Sequence, residues 1–111
     1  MSAVETALAD RVLARVDRDA LVDLASRLVR IPSFCRDETP VAHFLADYFR
    51  PRGYAVELQE VEPGRLQAIA TLRGAGGGPS LMFNGHTDIN SLARGWTRDP
   101  FAPWAARAPI T

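Results

Sequence analysis

Apolar and polar positions repeat with a helical period in two stretches of the chain. Leu21, Leu24, Ala25, Leu28 and Val29 fall at i, i+3, i+4, i+7 and i+8, which predicts one stripe of an amphipathic helix. Asp17 or Asp19 can cap its start, Arg27 and Arg30 suit the negative end of its dipole, and Pro32 stops it near Arg30. Ile31 to Asp37 then reads as a loop. A second helix is expected to begin at Thr39-Pro40, a capping residue followed by proline at the first helical position. Its stripe is Val41, Phe44, Leu45, Tyr48 and Phe49, and Gly53, close to Pro51, reads as its glycine stop. Upstream, residues 3 to 16 are rich in Ala, Val and Leu and read as a helical arm.

After Gly53 the period falls to two. Tyr54, Val56 and Leu58 alternate with Ala55, Glu57 and Gln59, the pattern of a half-buried strand. Pro63-Gly64 reads as a turn and Leu66 to Leu72 as a second strand. Gly74 to Gly78 is a flexible connection. A phosphate loop would need a helix start after it, and Pro79 follows instead. Leu81, Met82 and Phe83 form a continuous apolar run, which predicts a third strand buried on both faces and ending at Asn84-Gly85. The expected fold class is α/β, with two helices covering a sheet.

Composition narrows the function classes. The chain has 111 residues, room for one small domain, with 47% apolar and 23% charged residues. Thirteen acidic residues balance thirteen basic ones, all Arg, so a broad nucleic-acid or anionic-membrane footprint is not expected. No apolar run approaches the roughly 20 residues that span a bilayer. Residues 1 to 10 carry Glu5 and Asp10 and lack the pattern of a secretory signal, so a cytoplasmic setting is the expectation. A single cysteine, Cys35, excludes an intramolecular disulfide and a Cys-rich zinc site. No internal repeat is present.

Chemistry concentrates in Gly85-His86-Thr87-Asp88, directly after the third expected strand. In open α/β sheets ligands gather at the carboxyl ends of strands. His86 offers an imidazole nitrogen, the commonest side-chain metal ligand. Asp88 can accept a hydrogen bond from the other ring nitrogen, fixing its tautomer and aiming the ring. On spacing alone the same pair also reads as ordinary surface polarity. The remaining candidates have plainer readings. His43 reads as a helix-surface or packing residue, Cys35 as a loop or half-buried thiol with no base placed beside it, and Asp37 and Glu38 as helix-start residues. Trp96, Phe101 and Trp104 read as packing residues that could line a pocket, and Asp99-Pro100 as a turn.

Five runs occur in a telling order: Leu28 to Ser33, Asp37-Glu38, Gly53-Tyr54, Pro79 to Asp88, and Gly95 to Phe101. Together they resemble the N-terminal part of the zinc metallohydrolases that include acetylornithine deacetylase, succinyl-diaminopimelate desuccinylase, aminoacylase and glutamate carboxypeptidase. The resemblance covers residues 19 to 103. It implies part of a zinc-exopeptidase-like catalytic domain, two helices on a partial mixed sheet. The implied activity is two-zinc hydrolysis of an amide or peptide bond in a small N-acylated amino acid or peptide, with cobalt or manganese as possible substitutes. His86 would bind one zinc and Asp88 would orient it, while a glutamate serves as general base. The departure lies after Phe101, where the family continues to a metal-bridging Asp, a Glu-Glu pair, a further carboxylate and a final His. From Pro100 onward this chain has no Asp, Glu, His or Gly. The family's dimerisation domain is likewise missing. One histidine with its aspartate is short of the three protein ligands of a catalytic zinc. The 111 residues are therefore expected to bind zinc weakly and hydrolyse nothing. Residues 104 to 111 read as a non-family tail, from a shifted frame or a truncation near Pro103. The competing expectation is a non-catalytic remnant that pairs with an intact homologue through exposed strand edges, or that does not fold stably.

Overall fold

The computed structural model describes residues 2 to 104. The expected non-family tail lies outside the described residues, apart from Trp104. Three helices precede a hairpin: α1 (Ala3–Leu13), α2 (Arg18–Val29), α3 (Thr39–Phe49), a 3-10 turn (Arg50–Arg52), then β1 (Ala55–Glu62) and β2 (Arg65–Thr71). None of these helices is long and apolar enough to cross a membrane.

The helix ends follow local chemistry. Ser2 and Glu5 form a capping box on α1, Ser2 Oγ accepting the Glu5 N–H at 3.2 Å and Glu5 accepting the Ser2 N–H at 2.6 Å. Val4, Leu8 and Val12 of α1 nevertheless stay exposed, so α1 is an arm, held by its own hydrogen bonds. Asp17 caps α2 through the Asp19 and Ala20 N–H groups, at 2.9 and 3.0 Å. Gly53 turns the chain out of the 3-10 segment at φ 85°, the left-handed conformation that favours glycine.

Thr39 does not cap α3 as the sequence suggests. Glu38 takes the cap position. The Thr39 hydroxyl instead donates to the Gly64 carbonyl at 2.6 Å and accepts the Leu66 N–H at 3.1 Å. Those bonds staple the start of α3 to the hairpin turn. Ala42 and Ala46 lie on the same helix face as Thr39, at i+3 and i+7, and with Val41 they are the buried apolar residues among those described. Their small side chains let the helix sit close on the sheet. Of the expected stripe, Val41 is buried, while Phe44, Leu45, Tyr48 and Phe49 are half-buried. Phe49 packs on Tyr54 with ring centres 4.9 Å apart.

The hairpin is antiparallel, pairing Val56 with Ala70 and Leu58 with Ala68, with a bulge between Glu60 and Glu62. Its half-buried apolar residues, Val56, Leu58, Leu66, Ala68 and Ala70, form one face. That face meets α3.

Two expectations are overturned. The sheet is not mixed and is not covered by two helices: it has two antiparallel strands, and α3 is the helix that packs on both. Two strands span only about 10 Å, the width of a single helix. α2 reaches α3 through Arg27, whose guanidinium lies 4.9 Å from the Phe44 ring centre. Leu21 and Val29 of its stripe remain exposed. The second correction concerns Leu81, Met82 and Phe83, which form no strand and are 79%, 81% and 89% exposed. A strand needs a hydrogen-bonding neighbour, and among the described residues β1 and β2 pair only with each other.

A charged cluster fastens α3 to the hairpin. Buried Glu38 receives Arg65 Nη2 at 2.6 Å, Arg65 Nε at 3.1 Å and the Arg36 N–H at 3.0 Å. Arg65 also reaches Glu62 at 3.0 Å. The Arg65 hydrogen bonds, followed by the Arg36 N–H, pull the Glu38 carboxyl down from 4.5 to about 2. A depressed carboxyl stabilises the fold above its ordinary pKa and loses that contribution as pH falls through the folded value. Stability is therefore expected to decline between pH 4.5 and about 2. Glu38→Gln is expected to destabilise the chain at neutral pH and to flatten this acid limb, as read from urea melts across the window.

Candidate functional site

The loop from Ile31 to Asp37 builds the site. Pro32 ends α2 and sends the chain into an extended path. Ser33, buried, then meets the segment 87–89. Its hydroxyl donates to the Thr87 carbonyl at 2.6 Å. Its carbonyl accepts the Ile89 N–H at 2.8 Å, and the Cys35 N–H donates to the Ile89 carbonyl at 3.3 Å. Phe34 and Ile89 thus form an isolated parallel bridge. Phe34 packs edge-on against Phe101 at 5.8 Å, which draws the 99–101 turn towards the loop.

Arg36 closes the loop at φ 83°, an uncommon conformation for a residue with a side chain. The Asp37 N–H donates to the Phe34 carbonyl at 2.7 Å across this turn, so Arg36 holds the third position, where glycine is favoured. The turn delivers the Arg36 N–H to Glu38.

His86 and Asp88 come together. His86 Nδ1 lies 3.1 Å from Asp88 Oδ1 and 2.9 Å from the Asp88 carbonyl oxygen. Nδ1 has two acceptors before it, so the tautomer with the proton on Nδ1 satisfies both. That leaves the lone pair on Nε2, the nitrogen turned away from Asp88. The imidazole is 85% exposed and Asp88 half-buried. Such a ring can hold a cation or accept a proton from solvent.

Cys35, Glu38 and Asp88 bring potential ligand atoms within 4.8 Å of one another. Glu38 is already committed, since both of its oxygens take Arg65 hydrogen bonds. That leaves one thiol and one carboxylate, and His86 is not within the group.

An open groove of about 570 Å³ runs beside His86. Leu28, Val41 and Leu45 line its helical side, and Ile89, Leu92 and Trp96 its other side. Among the described residues, no Asp, Glu, Lys or Arg lines it. Phe101 and Trp96 do line it, in keeping with the pocket reading open to them. Trp104 lines a second open groove with Val22, Val29 and Pro100, beneath the Arg98 guanidinium at 4.7 Å. His43 stands exposed on α3. Asp99 makes the expected turn, its carboxylate accepting the Phe101 N–H at 2.9 Å. Ser33 and the Glu38–Arg65 pair are the organising residues that pattern reading missed. Ser33 closed the first of the five ordered runs, which was the available signal.

No family model and no solved structure matches the chain. Curated relatives do. The succinyl-diaminopimelate desuccinylase of Methylobacterium radiotolerans is 38% identical over 87 residues, 76% of this chain and 22% of the relative. That of Zymomonas mobilis is 32% identical over 85 residues, 74% of this chain and 22% of the relative. The acetylornithine deacetylase of Vibrio campbellii is 34% identical over 83 residues, 74% of this chain and 21% of the relative. The chain spans about a fifth of the length of these relatives.

Ser33→Ala removes the bond to Thr87 but leaves both backbone bonds to Ile89. Thr87 is exposed, so water can replace the lost donor and the cost is expected near the ordinary value of about 1 kcal/mol. Hydrogen exchange is the check: the Ile89 amide is expected to exchange about fivefold faster, with α3 amides unchanged.

Proposed function

Since the chain belongs to the family of the succinyl-diaminopimelate desuccinylases and acetylornithine deacetylases, we propose that it carries one metal-binding element of a two-zinc amide hydrolase. His86 is the ligand and Asp88 the residue that orients it. One observation carries the reading: the 3.1 Å approach of His86 Nδ1 to Asp88 Oδ1, which leaves Nε2 to face outward. A carboxylate behind a ligating imidazole fixes its tautomer and raises its basicity. The reaction class follows the relatives' names, removal of a succinyl or acetyl group from an amino-acid nitrogen.

The residues present do not complete a zinc site. A catalytic zinc takes three protein ligands and keeps an open position. This chain offers His86, and the neighbouring Cys35–Glu38–Asp88 group is short of a donor because Arg65 holds Glu38. Hydrolysis therefore needs ligands beyond these 111 residues, and the chain alone is not a catalyst.

A zinc titration by calorimetry tests this. The 111-residue chain is expected to bind zinc weakly and to release no succinate or acetate from N-acyl amino acids. His86→Ala is expected to abolish the residual binding, and Asp88→Asn to weaken it about tenfold. Stoichiometric zinc together with hydrolysis would overturn the reading, as would zinc binding indifferent to His86→Ala.

A further inference from the structure

Asp88 is held on both sides of its α-carbon by the same residue. The Thr87–Asp88 peptide unit is tied through the Thr87 carbonyl, which accepts the Ser33 hydroxyl at 2.6 Å. The Asp88–Ile89 unit is tied through the Ile89 N–H, which donates to the Ser33 carbonyl at 2.8 Å. A peptide unit is planar and turns as one body. A bond to each of the two units flanking a residue therefore restrains its φ and ψ, and with them the directions of its carbonyl and its side chain. Ser33 itself is buried.

Both acceptors of the His86 ring belong to this clamped residue. The Asp88 carbonyl points the opposite way from the Ile89 N–H, because the peptide bond between them is trans. One edge of that unit meets Ser33 and the other meets His86 Nδ1, at 2.9 Å. Asp88 Oδ1 supplies the second acceptor, at 3.1 Å. The ring is 85% exposed, so packing does not hold it. Among the described residues, no backbone–backbone hydrogen bond reaches residues 84–88. The nitrogen that carries the imidazole proton is set by the hydrogen bond it makes. Here that bond depends on acceptors whose placement returns to Ser33.

We propose that Ser33 is a positioning residue for His86. Its hydroxyl, acting through the Thr87 carbonyl and Asp88, sets the Nδ1–H tautomer and so presents the Nε2 lone pair to a cation. The hydroxyl is the separable half of the clamp. Ser33→Ala deletes the tie on the Thr87–Asp88 unit and leaves the Ile89 N–H bond in place. This role rests on the reading of His86 under Proposed function, whereas the tautomer itself exists without zinc.

Long-range proton–nitrogen correlation spectra of the imidazole rings read the tautomer directly. They are recorded on the 111-residue chain at about pH 9, where an ordinary imidazole is neutral. His43, exposed on α3, is the other histidine and serves as the reference, and His43→Gln assigns the two rings. His86 is expected to carry its proton mainly on Nδ1, whereas an unrestrained imidazole in water favours Nε2. Ser33→Ala is expected to lower the Nδ1–H to Nε2–H ratio of His86 about threefold, within the roughly fivefold that one ordinary hydrogen bond allows. Ser33→Thr keeps the hydroxyl and is expected to stay within about twofold of the parent chain. Unchanged α3 amide signals show that each variant is folded. Should Ser33→Ala lose the fold, the parent chain is warmed in steps instead, and the Nδ1–H fraction is expected to fall together with protection of the Ile89 amide. Four results would overturn the proposal: a parent ring protonated mainly on Nε2, a ratio indifferent to Ser33→Ala, a folded Ser33→Thr that falls as far as Ser33→Ala, or an Nδ1–H fraction that outlasts Ile89 protection. The metal reading fails separately, because zinc binding indifferent to His86→Ala removes the ligand assignment and leaves the tautomer result standing.

Discussion

Ser33 decides where the chemically interesting part of this chain sits. Its hydroxyl and carbonyl take two of the three hydrogen bonds that hold residues 87–89, and the third comes from Cys35 two positions on. The hairpin lends that segment no support, because β2 ends at Thr71 and a glycine-rich stretch intervenes. His86 is therefore placed by the loop after α2, and the loop is placed by α3 through Glu38 and Arg36. The chain of support runs from Arg65 in the hairpin to Glu38, to the Arg36 backbone, to Ser33, and only then to Thr87 and Ile89.

This dependence also explains a competition within the site. Glu38 lies close enough to Cys35 and Asp88 to share a cation with them. It spends its charge on Arg65 instead, in a two-pronged contact at 2.6 and 3.1 Å. A planar guanidinium matches a carboxylate in a way a single metal ligand bond does not replace. The carboxylate thus serves the fold, while the His86 ring and Asp88 are the more exposed groups.

Local pattern was readable where neighbours in sequence decide the outcome. The ends of α2, the glycine after α3, the Pro63-Gly64 turn and the alternation of β1 and β2 all follow from contacts a few residues apart. The expectation for Leu81–Phe83 failed for the opposite reason. An apolar run becomes a strand only when another strand meets it, and no sequence window contains that neighbour. Thr39 shows the same limit at smaller scale: its hydroxyl was predictable as a hydrogen-bonding group, but its choice of Gly64 and Leu66 over its own helix depends on a hairpin 25 residues away. For the site, the pairing of His86 with Asp88 was legible because two residues separate them. The role of Ser33 was not, because its partner Thr87 lies 54 positions on.

That separation of 54 residues has a kinetic meaning. The Arg65–Glu38 contact closes a loop of 27 residues, half as long. Each doubling of a loop adds about 0.6 kcal/mol of closure entropy, so the hairpin and α3 have the advantage in forming first. The Ser33 contacts close onto a framework already made, and with few hydrogen bonds they are the first to reopen. Of these two long-range contacts among the described residues, the one that places the segment bearing His86 closes the longer loop.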